Sequence, residues 1–242
     1  IPDEAAARVI GGIPKSERDG KIYGDYIKEV SPKGVVVWEW HFHLDEEIEA
    51  HPLIAVCDRE EFAHANACFP LPNGDVLVSF RRTHTLAIID RQTKKFRWLK
   101  KNVMWGTTHD VQMLDNGHLL FFANGLYTPL NPFSRVIELD PATGEEVWDY
   151  RGQPTWTFFS PNISGAQRLG SGNTLICEGQ MGRVFEVTPE QEIVWEYISP
   201  FFGGYNWFGL ERGGSGNSLF RCYRYAPDSP EIAGRVKSPY LG

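Results

Sequence analysis

Two histidines, His64 and His109, are the side chains of this chain best suited to nucleophilic or acid–base chemistry, because an imidazole changes charge near neutral pH. They stand in similar polar company. His64 and Asn66 occur in Phe62-Ala-His-Ala-Asn66, His109 and Asp110 in Thr107-Thr-His-Asp-Val-Gln112, and Ser164 and Gln167 in Ile163-Ser-Gly-Ala-Gln-Arg168. Further along each unit come Arg81, Arg82 and His84, then Asn124, then Glu178 with Arg183. Imidazoles beside guanidinium groups make an anion-binding site that also holds a proton carrier or a nucleophile. His41, His43, His51 and His118 are read as structural. A metal would require His64, His84 and His109 to converge with Glu178 nearby, and these carry no HxH or HExxH spacing among themselves, so no metal and no cofactor is expected. The four cysteines, Cys57, Cys68, Cys177 and Cys222, form no CxxC pair and are expected to be buried thiols.

The elements that must position these groups announce themselves as a repeat. Glu29-Val-Ser-Pro leads to Trp38, Ile88-Ile-Asp-Arg to Trp98, Glu138-Leu-Asp-Pro to Trp148, and Glu186-Val-Thr-Pro to Trp195, at spacings of 60, 50 and 47 residues. Each phrase is a β-rich run, a turn and a second β-rich run closing on tryptophan, which predicts a hairpin. Ser31-Pro-Lys-Gly34 and Asp140-Pro-Ala-Thr-Gly144 supply the turn residues. A second kind of hairpin precedes three of them: Leu71-Pro-Asn-Gly-Asp75, Leu114-Asp-Asn-Gly-His118 and Leu169-Gly-Ser-Gly-Asn173. Asn-Gly between apolar runs is a strong hairpin signal because both residues tolerate positive φ. Two hairpins make one four-stranded blade, and the period suits an all-β propeller of four-stranded antiparallel blades. Residues 1–242 are read as one propeller domain of four to five blades, a number short enough to suggest a six-bladed ring truncated at its N-terminus. The half-repeats at the two ends are expected to close the ring, with Arg8 to Gly12 as one further candidate strand.

Strand order then sorts the loops. Both kinds of turn lie at the bottom of the ring, and the second-to-third-strand loops and blade-to-blade connections lie at the top. Asn66, His109 and Ser164 each stand five residues before the leucine of their hairpin, so they ring the top of the central channel. The top loops also hold Trp105, Tyr127, Phe133, Trp156, Phe158, Phe159, Phe201, Phe202, Tyr205 and Trp207, a concentration expected of a site for an aromatic ligand.

Bulk properties bound the partners. The net charge of -7 is spread along the chain apart from Asp45, Glu46, Glu47 and Glu49, read as a solvated loop, so a nucleic-acid partner has no electrostatic support. No run approaches the roughly 18 apolar residues of a membrane span, and a soluble protein with no membrane partner is expected. The chain begins at Ile1, and any signal peptide or upstream segment is expected to lie outside this sequence.

Phe62-Ala-His-Ala-Asn66, Val78-Ser-Phe-Arg81, Thr108-His-Asp110, Phe121-Phe-Ala-Asn-Gly125, Ser134-Arg135 and Tyr223-Arg-Tyr225 together resemble the bacterial arylsulfotransferase propellers over nearly the whole chain. That family transfers a sulfuryl group between phenols through a sulfated histidine. The resemblance implies that His64 and His109 sit in the site, that Arg81 holds sulfate oxygens, and that the compartment is periplasmic or secreted, with the cytoplasm left open. Two departures accompany it. The family's nucleophilic histidine lies in a later blade than the Phe121–Gly125 motif, whereas this chain has no histidine after His118 and offers Ser160, Ser164 and Glu178 there. Ala123 also stands where the family has Asp. Either His109 is the nucleophile, or this member does not transfer sulfate. The tryptophan repeat is also similar to the docking motif of quinoprotein propellers, but the length is short for them and no adjacent cysteine pair occurs.

The leading expectation is therefore sulfuryl transfer with His109, His64 and Arg81 as catalytic groups. Asn66, His84, Asn124, Tyr127, Trp156, Ser164, Glu178 and Arg183 are expected to bind a small aromatic or anionic substrate. A lyase or hydrolase using the same site, with or without a metal, is the second expectation. A non-catalytic ligand-binding or assembly propeller, self-associating or completed by another chain, is the third.

Overall fold

The computed structural model describes residues 1–207, 210–226, 229–233 and 235, with the side chains of 204–215 outside the described set. Tyr205 and Trp207, expected among the aromatic top loops, have side chains outside it. A short helix α1 (Asp3–Ala6) and a strand β1 (Tyr23–Gly24) precede the hairpin β2 (Tyr26–Val30) and β3 (Val36–His41). Helix α2 (Phe42–Asp45) follows, and β4 (Glu61–Phe62) pairs in parallel with β1.

Three four-stranded antiparallel blades come next, each a simple meander. The first contains β5 (Ala65–Pro70), β6 (Val76–Phe80), β7 (Thr85–Ile89) and β8 (Phe96–Lys101). The second contains β9 (Thr108–Met113), β10 (Leu119–Ala123), β11 (Arg135–Leu139) and β12 (Glu146–Tyr150). The third contains β13 (Gly165–Arg168), β14 (Thr174–Glu178), β15 (Arg183–Val187) and β16 (Ile193–Ile198). A last hairpin joins β17 (Gly203–Trp207) to β18 (Leu210–Gly216). The fold is thus a propeller of four-stranded blades, flanked by two hairpins that stand as separate two-stranded sheets.

The tryptophan repeat acquires a physical meaning in the register. Glu29, Ile88, Glu138 and Glu186 lie opposite Trp38, Trp98, Trp148 and Trp195, and each pairing is followed by the same one-residue register shift. The shift adds twist at the base of every hairpin. Three of the four indoles then reach the next turn along the fold. Trp38 Nε1 donates to the Arg91 carbonyl at 2.9 Å, Trp98 to Pro141 at 2.9 Å and Trp148 to Pro189 at 2.8 Å.

Between blades lies the core. β6, β7, β10 and β14 are buried at every residue because both of their faces are covered, β14 on its outer side by Leu219 and Cys222 rather than by a sheet. Trp40, Phe42, Phe62 and Phe80 fill the space beside the first hairpin, Leu77, Trp105, Phe121 and Ile137 the next, and Phe122, Phe158, Ile176 and Phe185 the third. Outermost β16 is exposed throughout, since no further sheet covers it among the described residues.

Several expectations are corrected here. Arg8 to Gly12 form no blade strand; α1 precedes them and a single bridge ties Gly11 to Leu53. The acidic run is engaged rather than loose, with Asp45 accepting the His41 N–H, Glu46 accepting the Phe96 N–H and Glu49 paired with Arg8. Cys68 is exposed, on the solvent face of an inner strand. Trp105 and Phe158 are core residues and cannot face a ligand.

Candidate functional site

The inner strands β5, β9 and β13 enter the molecule through backbone that L-residues seldom adopt. Ala63 and His64 have φ of 66° and 57°, Asp110 has 55°, and Ile163 and Ser164 have 49° and 84°. Two of these strands also carry bulges at the same end, one setting Asn66 as the extra residue against β6 and one at Asp110–Val111 against β10. Strained φ and bulges re-aim side chains, and they recur here at the residues the sequence places around the channel.

His109 is the best-defined group. It is 4% exposed, and its Nδ1 lies 2.6 Å from Asn124 Oδ1. Asn124 is fully buried, and its amide nitrogen donates to the carbonyls of Ser160 at 2.8 Å and Ile163 at 3.0 Å. Those two bonds fix which end of the amide faces the histidine. The network therefore assigns the proton to Nδ1 and leaves the lone pair on Nε2, which has no hydrogen-bond partner among the described residues. Burial lowers the pKa of His109 to about 3, with the charges of Arg81, His64 and Arg221 pushing the same way. The imidazole is neutral at any ordinary pH, and cations surround it.

Arg81 is the complementary feature. Its neighbour Arg82 is committed to Asp58 at 2.8 Å and to the Glu61 carbonyl. Arg81 makes no side-chain hydrogen bond or ion pair among the described residues, and its Nε is buried without a partner. Burial and the charge of Arg82 lower its pKa, yet a guanidinium stays charged. A half-buried guanidinium whose Nε has no partner is a ready receptor for an anion. The charge of His64 reaches His109, and its Nδ1 is bonded to Glu61 Oε2, an interaction that lowers the Glu61 pKa.

The remaining expected residues divide. Asn66 bridges blades, its amide donating to the Thr108 carbonyl at 2.6 Å and its Oδ1 accepting from Ser79. His84, in a left-handed turn, is held by the Gly106 carbonyl at 2.7 Å. Ser164 bonds Ser160 at 2.8 Å and accepts the Gly179 N–H, which makes it a brace for the loop below Asn124. Glu178 accepts the Phe159 N–H at 3.0 Å and pairs with Arg183 at 3.2 Å. Arg183 also pairs with Glu196 and lines a groove of about 450 Å³ with Tyr150, Arg151 and Gln153, so it belongs to the outer strands. Tyr127 is 39% exposed and Trp156 75%, both free to meet an aromatic ligand. His64, His84, His109 and Glu178 do not gather as a ligand set; among the described residues no three His, Cys, Asp or Glu do so.

Two further groups join the site: Asp110, which the sequence sets beside His109 without a role, and Glu61, which sequence reasoning missed. Asp110, whose pKa burial raises, accepts from the Tyr223 hydroxyl and the Ala166 N–H and pairs with Arg221 at 3.3 Å. Residues 219–224 thus run beside β13 as a further inner segment, with Gln167 and Arg224 exchanging two hydrogen bonds. The Tyr223-Arg-Tyr225 motif was the available signal. Gly165 leaves room for this arrangement, since a Cβ there would collide with the Asp110 carboxylate. Glu61 could have been found from its place three residues before His64.

Comparison with known proteins supplies a family. The model of the family described as Arylsulfotransferase (ASST) matches residues 8–200. No curated protein matches. Among solved structures, a protein of unknown function from Bacteroides caccae is 12% identical, covering 73% of this chain and 58% of that one at a TM-score of 0.47. Catalytically inactive virginiamycin B lyase from Staphylococcus aureus with quinupristin is 15% identical, covering 73% and 49% at 0.46. BamB from Moraxella catarrhalis is 14% identical, covering 72% and 42% at 0.42. The chain spans about half the length of these structures. Among the described residues no helix is long and apolar enough to cross a membrane.

Proposed function

The chain belongs to the arylsulfotransferase (ASST) family, and from that premise we propose that it transfers a sulfuryl group between phenolic compounds through His109. The observation that carries this reading is the pair formed by His109 and Asn124. A locked amide holds Nδ1–H at 2.6 Å and leaves a neutral Nε2 lone pair among cations. A nucleophile for an anionic sulfate ester needs this combination, since positive surroundings offset the repulsion between lone pair and anion.

In the first half-reaction Nε2 attacks sulfur, an N–S bond forms, and the S–O bond to the aryl group breaks with its electron pair going to the phenolate oxygen. His64 gives that oxygen a proton. Arg81 holds the sulfuryl oxygens, and Asn124 Oδ1 stabilises the charge gained by the ring. In the second half-reaction an acceptor phenol loses its proton to His64 and attacks sulfur, and the N–S pair returns to Nε2. Tyr127 and Trp156 supply ring faces for donor and acceptor in turn.

Incubation with an aryl sulfate and an acceptor phenol is expected to release the donor phenol and to leave His109 heavier by one sulfuryl group when the acceptor is omitted. Release that survives His109→Ala overturns the assignment. Continuous release without any acceptor would instead make the protein a sulfate-ester hydrolase.

A further inference from the structure

A carboxyl that this transfer scheme does not use lies behind His64. Asp25 follows β1, and its Oδ1 accepts the Ala65 N–H at 2.9 Å while its Oδ2 is buried with no hydrogen-bond partner. The carbonyl of Asp25 accepts the Phe42 N–H at 3.1 Å, and the β1–β4 pairing sets Gly24 across from Phe62. Backbone bonds on both sides therefore fix where the carboxyl points. The N–H it holds closes the turn in which Ala63 and His64 are both left-handed. Two successive non-glycine residues in that region persist only where their surroundings hold them.

We propose that Asp25 is a positioning residue for His64: through the Ala65 N–H it fixes the strained turn that presents the imidazole, and its charge acts on the ring. The inference rests on the reading of His64 as the acid–base group. The charged and titratable groups facing His64 are Glu61 and Asp25 on one side and His109 on the other, with Arg81 and Arg82 close to Glu61.

Burial raises the Asp25 carboxyl to about 6, against the opposing pull of the Ala65 hydrogen bond and the His64 charge. When His64 gives its proton to a departing phenolate, Asp25 loses the cation that favours its ionised form and is more readily protonated. When an acceptor phenol returns the proton to His64, the ring charge again favours the ionised Asp25 carboxylate. The Asp25 carboxylate thus favours the protonated ring before transfer, and the single proton in play moves from His64 to the phenolate oxygen.

This arrangement opposes stability, which provides a test. A carboxyl whose folded pKa lies above its unfolded value contributes stability that is lost as pH rises through about 6. Asp25→Asn keeps an oxygen for the Ala65 N–H and removes the charge. At pH 7.5 the variant is expected to melt at or above the wild-type temperature, while transfer falls on the order of tenfold and its pH profile shifts. The second readout needs no transfer at all. Acylation of His64 by diethyl pyrocarbonate, followed by mass spectrometry across pH, is expected to move its midpoint down by roughly half a unit or more in Asp25→Asn.

An unmoved midpoint overturns the proposal, as does a fall in melting temperature that parallels the loss of transfer. A moved midpoint in a protein that transfers no sulfate leaves the Asp25–His64 coupling standing and removes only the sulfuryl reading. Should Asp25→Asn fail to fold, the Asp25 carboxyl can be titrated by carbon NMR in wild type and His64→Gln. A titration indifferent to His64 rejects the coupling.

Discussion

The inner ends of the blades and their outer hairpins are built from the same repeat and treat polar groups in opposite ways. In the outer hairpins every docking indole has its carbonyl: Trp38, Trp98 and Trp148 each donate across to the neighbouring turn at 2.8–2.9 Å. Around the inner strand ends, Arg81 Nε and Asp25 Oδ2 are buried without partners, and non-glycine residues take positive φ at Ala63, His64, Asp110, Ile163 and Ser164. Each such residue costs about 1–3 kcal/mol. Lys94 and Gln191 in the outer turns share the positive φ, so what separates the regions is the unpartnered buried charge at the centre, and variants in the two regions should separate stability from activity.

The largest effect is expected at His109. His109→Ala should lower transfer by roughly 10³-fold or more, about 4 kcal/mol of transition-state stabilisation, because it removes the nucleophile outright. Mixing donor and variant in a single turnover should yield no sulfated protein. Persistence of the burst would sink the comparison, since the centre would then be strained for some reason other than this chemistry.

Arg81→Met comes next and should move the two quantities in opposite directions. On the proposed scheme, losing the guanidinium assigned to the sulfuryl oxygens should lower kcat/KM about 10²-fold. Replacing an unpaired buried cation with an apolar side chain of similar length should leave the thermal midpoint equal or higher. A matched loss of both would mean that Arg81 is a scaffold group like Arg82.

How much of this was legible in the sequence follows the same division. The outer hairpins could be read residue by residue, because Asn-Gly turns and the tryptophan phrase are local signals and four copies corroborate one another. Five-residue spacing before each leucine likewise brought Asn66, His109 and Ser164 to one rim. Asp25 had no signal, since its partner Ala65 is 40 residues away and β1 is two residues long. Asn124 was found, but its function was not. That depends on the carbonyls of Ser160 and Ile163, which arrive from the next blade. Trp105 and Phe158 were misplaced for a related reason: a loop aromatic and an interblade core aromatic look alike until the neighbouring sheet is present.

The two regions also differ in what burial does to a histidine. His51 packs between Phe42 and Phe96 with its Nδ1 unpartnered, and burial lowers its pKa to about 4. Its ring is neutral among aromatic rings, whereas that of His109 is neutral beside an amide that fixes its tautomer. For both, the unfolded chain binds a proton that the folded chain refuses, so stability is complete above about 6.5 and falls as pH drops toward 4 for His51 and 3 for His109. Asp25 acts in the opposite sense between about 4 and 6. Stability measured by denaturant should decline between pH 7 and 5, and His51→Leu should flatten that decline by on the order of 1–2 kcal/mol without altering the pH profile of transfer. A changed profile would show that the outer histidine reaches the site.

The smallest effect isolates the periphery itself. Trp98→Phe keeps an aromatic ring against Leu77, Leu86 and Leu119 but leaves the Pro141 carbonyl without its donor. The loss should be about 1 kcal/mol, the net value of one hydrogen bond with a partly buried acceptor. Trp195 occupies the same register opposite Glu186, yet it stacks on Tyr197 and beneath Arg224 and docks on no turn among the described residues. Trp195→Phe should therefore cost less than Trp98→Phe, and the difference measures the interblade bond. Both variants should transfer sulfate at the wild-type rate per folded molecule. Equal losses in stability would mean that the tryptophans act through their hairpins alone, and the carbonyl contact would no longer explain why the phrase recurs.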